Sequence, residues 1–232
     1  MWARRCLFVL TFSTIACAPS AFGGVIPHLL YGKRISGQVV DAETGKPIPG
    51  AFIAFLWESP ITPTVITGHS SRDICYHAAV AQTDAAGHFQ IHAWRKWSNY
   101  NVHNVEPTGV VYTQHYVPHF VVFAAPSNGG RADYDAQRYE LKSFAGTRQK
   151  RLETLFRGLA NHDCLNGGES QKSLYPMLKA IYTEARQIAE TADDMRVVSA
   201  IARLAAETAL AQDPNVPWDE ERTNAFIREH LK

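Results

Sequence analysis

The amino-acid sequence predicts an α+β protein in which strands come first and helices follow, and three observations predict it. Between Arg34 and about Pro126 the apolar residues fall in short runs bounded by Gly, Pro and Asp, the pattern of strands joined by tight turns. Ser127-Asn128-Gly129-Gly130 then interrupts the pattern with linker composition. From Gly146 onward apolar residues recur three and four apart, the period of a helix with one buried face. The chain therefore divides into residues 1–23, which are not part of the fold, a strand-rich region 34–126, a linker 127–145 and a helical region 146–232.

The first strand runs from Ile35 to Val40 and ends at Asp41-Ala42-Glu43-Thr44-Gly45. There Asp can accept hydrogen bonds from the backbone two and three residues on, and Gly can take the positive φ that closes the turn. Lys46-Pro47-Ile48-Pro49-Gly50 leads into Ala51 to Trp57, apolar at almost every position, as a strand covered on both faces would be. Thr83-Asp84-Ala85-Ala86-Gly87 is a second turn of the same chemistry, separating strands at Ala78–Gln82 and Phe89–His92. A strong strand signal from Tyr112 to Ala124 is interrupted at Pro118, which cannot donate to a ladder and so marks an edge or a bulge.

In the helical region Leu152, Leu155, Phe156 and Leu159 form an inward stripe, and Asp163 to Ser170 breaks the pattern. Ser173 can cap the next helix, with Pro176 tolerated in its first turn. The stripe Leu174, Leu178, Ile181, Ala185, Ile188, Ala192, Met195, Val198, Ala202, Ala205 and Ala209 would make a single helix of almost 60 Å at ~1.5 Å per residue. A turn near Asp193, which can cap a second piece, is therefore expected. Pro214 ends the run, and Pro217-Trp218-Asp219-Glu220-Glu221 opens a short last helix with acids at its positive end.

The first residues suggest export. Arg4 and Arg5 precede a short apolar run, Cys6 to Ala16, and the small residues Ala16-Cys17-Ala18, the layout of a secretory signal. The run is too short to span a bilayer. Thr14-Ile15-Ala16-Cys17 also resembles a lipobox, which leaves lipidation of Cys17 open, and Arg4-Arg5 resembles part of a twin-arginine signal. The expected location is periplasmic, or lipid-anchored at the outer membrane. Removal of the signal leaves Cys75 and Cys164 as an even pair in an oxidising compartment, for which a disulfide is the natural reading. A net charge of +1 and the lack of a long basic run exclude the electrostatic footprint of a nucleic-acid binder.

The pieces ISGQVVDAETGKPIPGAFIAF and TDAAGHFQI together resemble the carboxypeptidase regulatory-like domain over roughly residues 34–125. The resemblance implies a transthyretin-like, seven-stranded Greek-key β-sandwich, with the segment Glu58 to Asp73 as a long insertion between two strands. It implies no activity, because that module recurs as an accessory in exported proteins of many kinds. Cys75 and the strand after it resemble a subgroup of small exported bacterial proteins with a helical tail.

Ten histidines invite a search for metal ligands. His103-Asn104-Val105-Glu106 has the His-x-x-Glu spacing of metallocarboxypeptidase zinc ligands, but Pro107 follows and the chain lacks room for the α/β catalytic domain those enzymes need. The intradiol dioxygenases, whose fold also resembles this sandwich, hold iron with two Tyr and two His. Tyr100, Tyr112, His115 and His119 are the possible counterparts, although that family sets its two His two residues apart. The Tyr-Arg-Gly-Ser ending of hydroxyisourate hydrolases is missing, as are a nucleophile elbow, a phosphate loop and a dinucleotide fingerprint. Trp97, Tyr100, Tyr112 and Tyr116 form an aromatic-rich stretch that could stack on a sugar or peptide, or instead pack beneath the helices. The expectation is a non-catalytic exported accessory or binding protein with no cofactor and an unidentified protein, peptide or carbohydrate ligand. The alternative is a metal-dependent enzyme using the Tyr/His set.

Overall fold

The computed structural model describes residues 28–60, 73–98, 107–123, 134–160, 169–211 and 219–231. Nine strands occupy the N-terminal part of these residues and four α-helices the C-terminal part, so the α+β order expected from the sequence is the one observed. The strands are β1 (His28–Gly32), β2 (Ile35–Asp41), β3 (Phe52–Pro60), β4 (Asp73–Gln82), β5 (His88–Ile91), β6 (Trp94–Ser98), β7 (Pro107–Tyr112), β8 (His119–Val122) and β9 (Gln137–Leu141). They form a four-stranded antiparallel sheet β4-β3-β7-β8, a three-stranded sheet β5-β2-β9 and a two-stranded ribbon β1-β6. Within the three-stranded sheet β9 runs parallel to β2 and β5 antiparallel to it.

Successive side chains of a strand point to opposite faces, and β3 uses both. Ile53, Phe55 and Trp57 enter a core shared with Ile35 and Val39 of β2, Phe89 and Ile91 of β5, and Tyr139 and Leu141 of β9. The two larger sheets thus bury one core between them. Ala54 and Leu56 of β3, with Val110 and Tyr112 of β7, enter a second core made with the helices. This double coverage is the reason the 51–57 run is apolar throughout.

The two Asp-Gly turns follow the chemistry read from sequence. Asp41 Oδ1 accepts from the backbone N–H of Thr44 at 2.7 Å and of Glu43 at 3.0 Å, and Gly45 takes φ +67°. Asp84 Oδ1 accepts from Ala86 and His88, and Gly87 takes φ +74° with the Val39 carbonyl oxygen 2.6 Å from where a Cβ would stand. A side chain at Gly87 is excluded twice, by conformation and by space.

Helix α1 is Arg148–Ala160; a 3-10 turn, Glu169–Leu174, precedes α2 (Tyr175–Ile188), α3 (Ala192–Leu210) and α4 (Glu220–His230). The long apolar stripe breaks between Ile188 and Ala192, close to the expected turn, but the cap is Thr191 rather than Asp193. Thr191 Oγ1 accepts from Asp194 N, and the Asp194 carboxylate accepts from Thr191 N, a reciprocal capping box. Ser173 does not cap α2; its hydroxyl donates to the Ala78 carbonyl of β4 at 3.0 Å, which ties the 3-10 turn to the sheet. Phe156, placed in the inward stripe of α1 on spacing, is 37 % exposed, whereas Leu152 and Leu155 are buried. The signal read as one strand over 112–124 is divided: β7 ends at Tyr112, β8 begins at His119, and Pro118 lies between them. The segment 127–145 contains β9, and the insertion Glu58–Asp73 is reduced by the ends of β3 and β4 to residues 61–72, which lie outside the described residues. No helix among the described residues is long and apolar enough to cross a membrane.

Candidate functional site

The candidate residues go to different places. Tyr112 ends β7 on the helix-facing side, 2 % exposed. Its hydroxyl donates to Glu184 Oε2 at 2.8 Å, with the Ala180 carbonyl 3.3 Å away. Glu184 in turn takes a two-pronged contact from Arg151, Nε to Oε1 at 2.8 Å and Nη2 to Oε2 at 2.9 Å, and the remaining guanidinium nitrogen, Nη1, donates to the Tyr116 carbonyl. Arg151 and Glu184 are about 95 % buried, so the sheet and two helices are joined by a closed ionic network. Burial first, then the Glu184 charge, push the Tyr112 phenol far above its ordinary range, and a phenol so held resists the deprotonation that metal ligation requires.

Tyr116 donates to Asp41 Oδ2 at 2.9 Å. That bond raises the phenol's pKa, while Asp41 is held low, chiefly by the Thr44 backbone N–H and hydroxyl and then by Tyr116. His115 is exposed in the turn between β7 and β8 with φ +69°, and His119 is exposed with its ring 5.8 Å from that of Tyr139. His119 pairs with Val111 across β7 and β8. Directly opposed residues share a face and sequential ones do not, so His119 lies on the face opposite to Tyr112. The two do not converge on one point. Tyr100, His103, Glu106, Cys164 and Cys17 lie outside the described residues, and among those described no group of three His, Cys, Asp or Glu is placed to hold a metal ion.

Trp97 has a different setting. It lies on β6 of the ribbon, 67 % exposed, with Leu29 directly across the strand pair and Tyr31 one pleat repeat along. Leu29 and Tyr31 are themselves 45 % and 61 % exposed. Arg95, paired with Tyr31, completes the same face. The opposite face holds the ribbon to the body: the Trp94 ring stands 5.4 Å from Trp57 at 80° and 4.6 Å from His77. Gly32 makes this seat possible, because a Cβ there would come within 2.0 Å of Trp94 Nε1. Desolvation, and then the nearby Lys96 charge, push His77 down to about 4 and keep its imidazole neutral in the stack. A groove of about 450 Å³ opens beside the ribbon, lined by Tyr31, Lys33, Arg34, Trp94 and Arg95 among others. Trp94 Nε1 is buried there without a hydrogen-bond partner.

The Leu29 and Tyr31 half of this surface was not found by sequence reasoning, which began its strands at Ile35. The available signal was alternation in His28-Leu29-Leu30-Tyr31-Gly32, too short to separate from a leader segment.

No family model matches the chain, and no curated protein matches it. Among solved structures the chain is similar to a 3-chlorocatechol 1,2-dioxygenase from Rhodococcus opacus 1CP, at 13 % identity and a TM-score of 0.29 over 48 % of this chain. The match spans 59 % of that protein's length. At that level the likeness carries no argument about fold or chemistry.

Proposed function

We propose that the chain is a non-catalytic exported accessory or binding protein, built on a seven-stranded transthyretin-like sandwich of the carboxypeptidase regulatory-like kind, with the outward face of the β1–β6 ribbon as its contact surface. The observation that carries this reading is the alignment of Leu29, Tyr31 and Trp97, all strongly exposed, on one face of a ribbon whose other face is anchored. Clustered exposed apolar side chains with polar neighbours mark contact surfaces rather than ordinary surface. The commitment of Tyr112 to Glu184, and the opposite facing of His119, support binding over the Tyr/His metal enzyme.

The Cys75–Cys164 disulfide belongs to the same proposal. Cys75 is half-buried on β4, and the 3-10 turn that follows Cys164 by five residues is tied to the same strand through the Ser173 to Ala78 hydrogen bond, which supports it. The mature chain is proposed to begin shortly after Ala18 or at an acylated Cys17, and intact mass of the exported protein reads this directly. Metal analysis of the protein purified from the exported fraction tests the functional reading. The expected result is no stoichiometric iron or zinc; one iron per chain, lost in a His115→Ala/His119→Ala variant together with an oxidative activity, would overturn it.

A further inference from the structure

We propose that the outward face of the β1–β6 ribbon docks on a bilayer surface containing anionic phospholipid; this rests on the reading of that face as the contact surface and names its partner. The argument begins with the order of side chains along the ribbon. Leu29 and Trp97 form a cross-strand pair, Tyr31 and Arg95 the next pair on the same face, and Lys33 and Arg34 follow where β1 ends. One pleat repeat is about 7 Å. An apolar pair, an aromatic ring beside a guanidinium and then two further cations therefore succeed one another over about 15 Å. That is the depth order of an acyl boundary, an interfacial aromatic belt and a phosphate layer.

The charge is local. Residues 28–34 and 94–98 carry Lys33, Arg34 and Arg95, with Lys96 opposite Leu30 on the other face, and no acid, in a chain whose net charge is only +1. Arg34 reaches Asp135 at 3.3 Å, an exposed pair that salt and competing phosphates would loosen. Lys33 lies over the Tyr134 ring, and Arg95 and Lys96 have no ion pair among the described residues. Such cations near an anionic leaflet attract it within about one Debye length, ~10 Å at moderate salt. Leu29 favours a bilayer over a saccharide: an aliphatic side chain gains from an apolar medium and offers no face for a sugar ring to stack on.

The position of the ribbon in the chain agrees. Ten residues, 18–27, separate Cys17 from His28, a reach of at most about 36 Å at ~3.6 Å per residue. An acyl group on Cys17 would keep the ribbon beside the membrane, and the ribbon would add the second attachment that a single chain requires for stable anchoring.

The test uses the chain from residue 19 onward, which lacks both the apolar run Cys6 to Ala16 and the Cys17 acylation site, sedimented with phosphatidylcholine vesicles with and without phosphatidylglycerol. Binding is expected only with phosphatidylglycerol and is expected to weaken as salt rises. Trp97→Ser should lower the partition coefficient roughly tenfold, the share of one large apolar side chain. Arg95→Glu, a change on the outward face that leaves Leu29 and Trp97 in place, should abolish binding at moderate salt, with near-ultraviolet circular dichroism unchanged. No retention on phosphatidylglycerol vesicles would overturn the lipid partner. Retention on a soluble anionic polysaccharide without vesicle binding, lost in Trp97→Ser, would do the same while upholding the ribbon as contact surface. Vesicle binding that neither variant weakens would overturn the ribbon itself.

Discussion

His77 is a residue whose environment decides its charge. Its ring stands 5.3 Å from Trp57 and 4.6 Å from Trp94, and burial in that stack favours the neutral imidazole down to about pH 4. In the unfolded chain the same ring takes a proton near pH 6.5. Between those values the unfolded state binds more protons, so stability from this group is complete above about pH 6.5, falls as pH drops and is exhausted near pH 4. The expected outcome is a denaturation midpoint that declines across that window, and His77→Phe, which keeps a ring in the stack, should flatten the decline. An NMR titration that places the His77 pKa near 6.5 would refute it.

The Arg151–Glu184–Tyr112 network makes a second residue-scale prediction of larger size. Each oxygen of Glu184 is occupied, one by Arg151 Nε and the other by Arg151 Nη2 and the Tyr112 hydroxyl. Arg151→Met should cost about 3–5 kcal/mol because it leaves a buried carboxylate without its cation. Tyr112→Phe removes one donor and should cost only about 1–3 kcal/mol. Replacing both charges, as Arg151→Met/Glu184→Leu, should recover most of the loss. Urea unfolding of the three variants orders them, and a double variant no better than Arg151→Met would show that the pair does not act as a unit.

At the scale of elements, the α2–α3 corner depends on a cap that two residues share with a helix elsewhere. Asp194 accepts from Glu190 N at 3.0 Å and Thr191 N at 2.9 Å, and its carboxylate also receives Arg148 from α1. The two backbone N–H groups, more than the guanidinium, hold this carboxyl well below the usual carboxylate range. Thr191→Ala should lower stability by about 1 kcal/mol and Thr191→Ser by much less, measured by urea midpoints. Both Asp-Gly turns, the doubly buried run at 51–57 and a break near Asp193 were legible in the sequence, whereas the cap at that break, Thr191, was not among the residues read from it. What was not legible has a common cause. β9 buries only Tyr139 and Leu141, between outward Arg138 and Glu140. β1 and β6 bury little but Leu30 and Ser98, with Trp94 half-buried. Strands with one or two inward residues owe their place to a partner distant in sequence, Val39 beside Tyr139 or Leu29 beside Trp97, and local periodicity carries no trace of that pairing. The same holds for the candidate site, where Trp97 was visible as an aromatic residue and its neighbours Leu29 and Tyr31 were supplied by the fold.

The molecule as a whole is joined through its second core, where side chains of β3, β4 and β7 interlock with those of α1, α2 and α3. Cys75, half-buried on β4, packs against this core. The 3-10 turn beginning at Glu169 lies on the same strand through the Ser173 to Ala78 hydrogen bond. Cys164 precedes Glu169 by five residues, a reach of at most about 18 Å, and Cys75 lies three residues from Ala78 along β4, about 10 Å. The proposed bridge between them is therefore within the span of the chain. It would close a loop of close to ninety residues, worth up to about 4.6 kcal/mol through the unfolded state. Parting the layers would expose Leu56, Val110, Leu178 and Ile181 together and would leave neither layer with cover for its apolar face. Reduction should thus shift one cooperative transition to lower denaturant, with far-ultraviolet circular dichroism, which follows the helices, and tryptophan fluorescence, which follows Trp57 and Trp94, coinciding. Separate transitions for the two probes would show two independent units, and two thiols labelled per chain at Cys75 and Cys164 in unfolded, unreduced protein would remove the disulfide altogether.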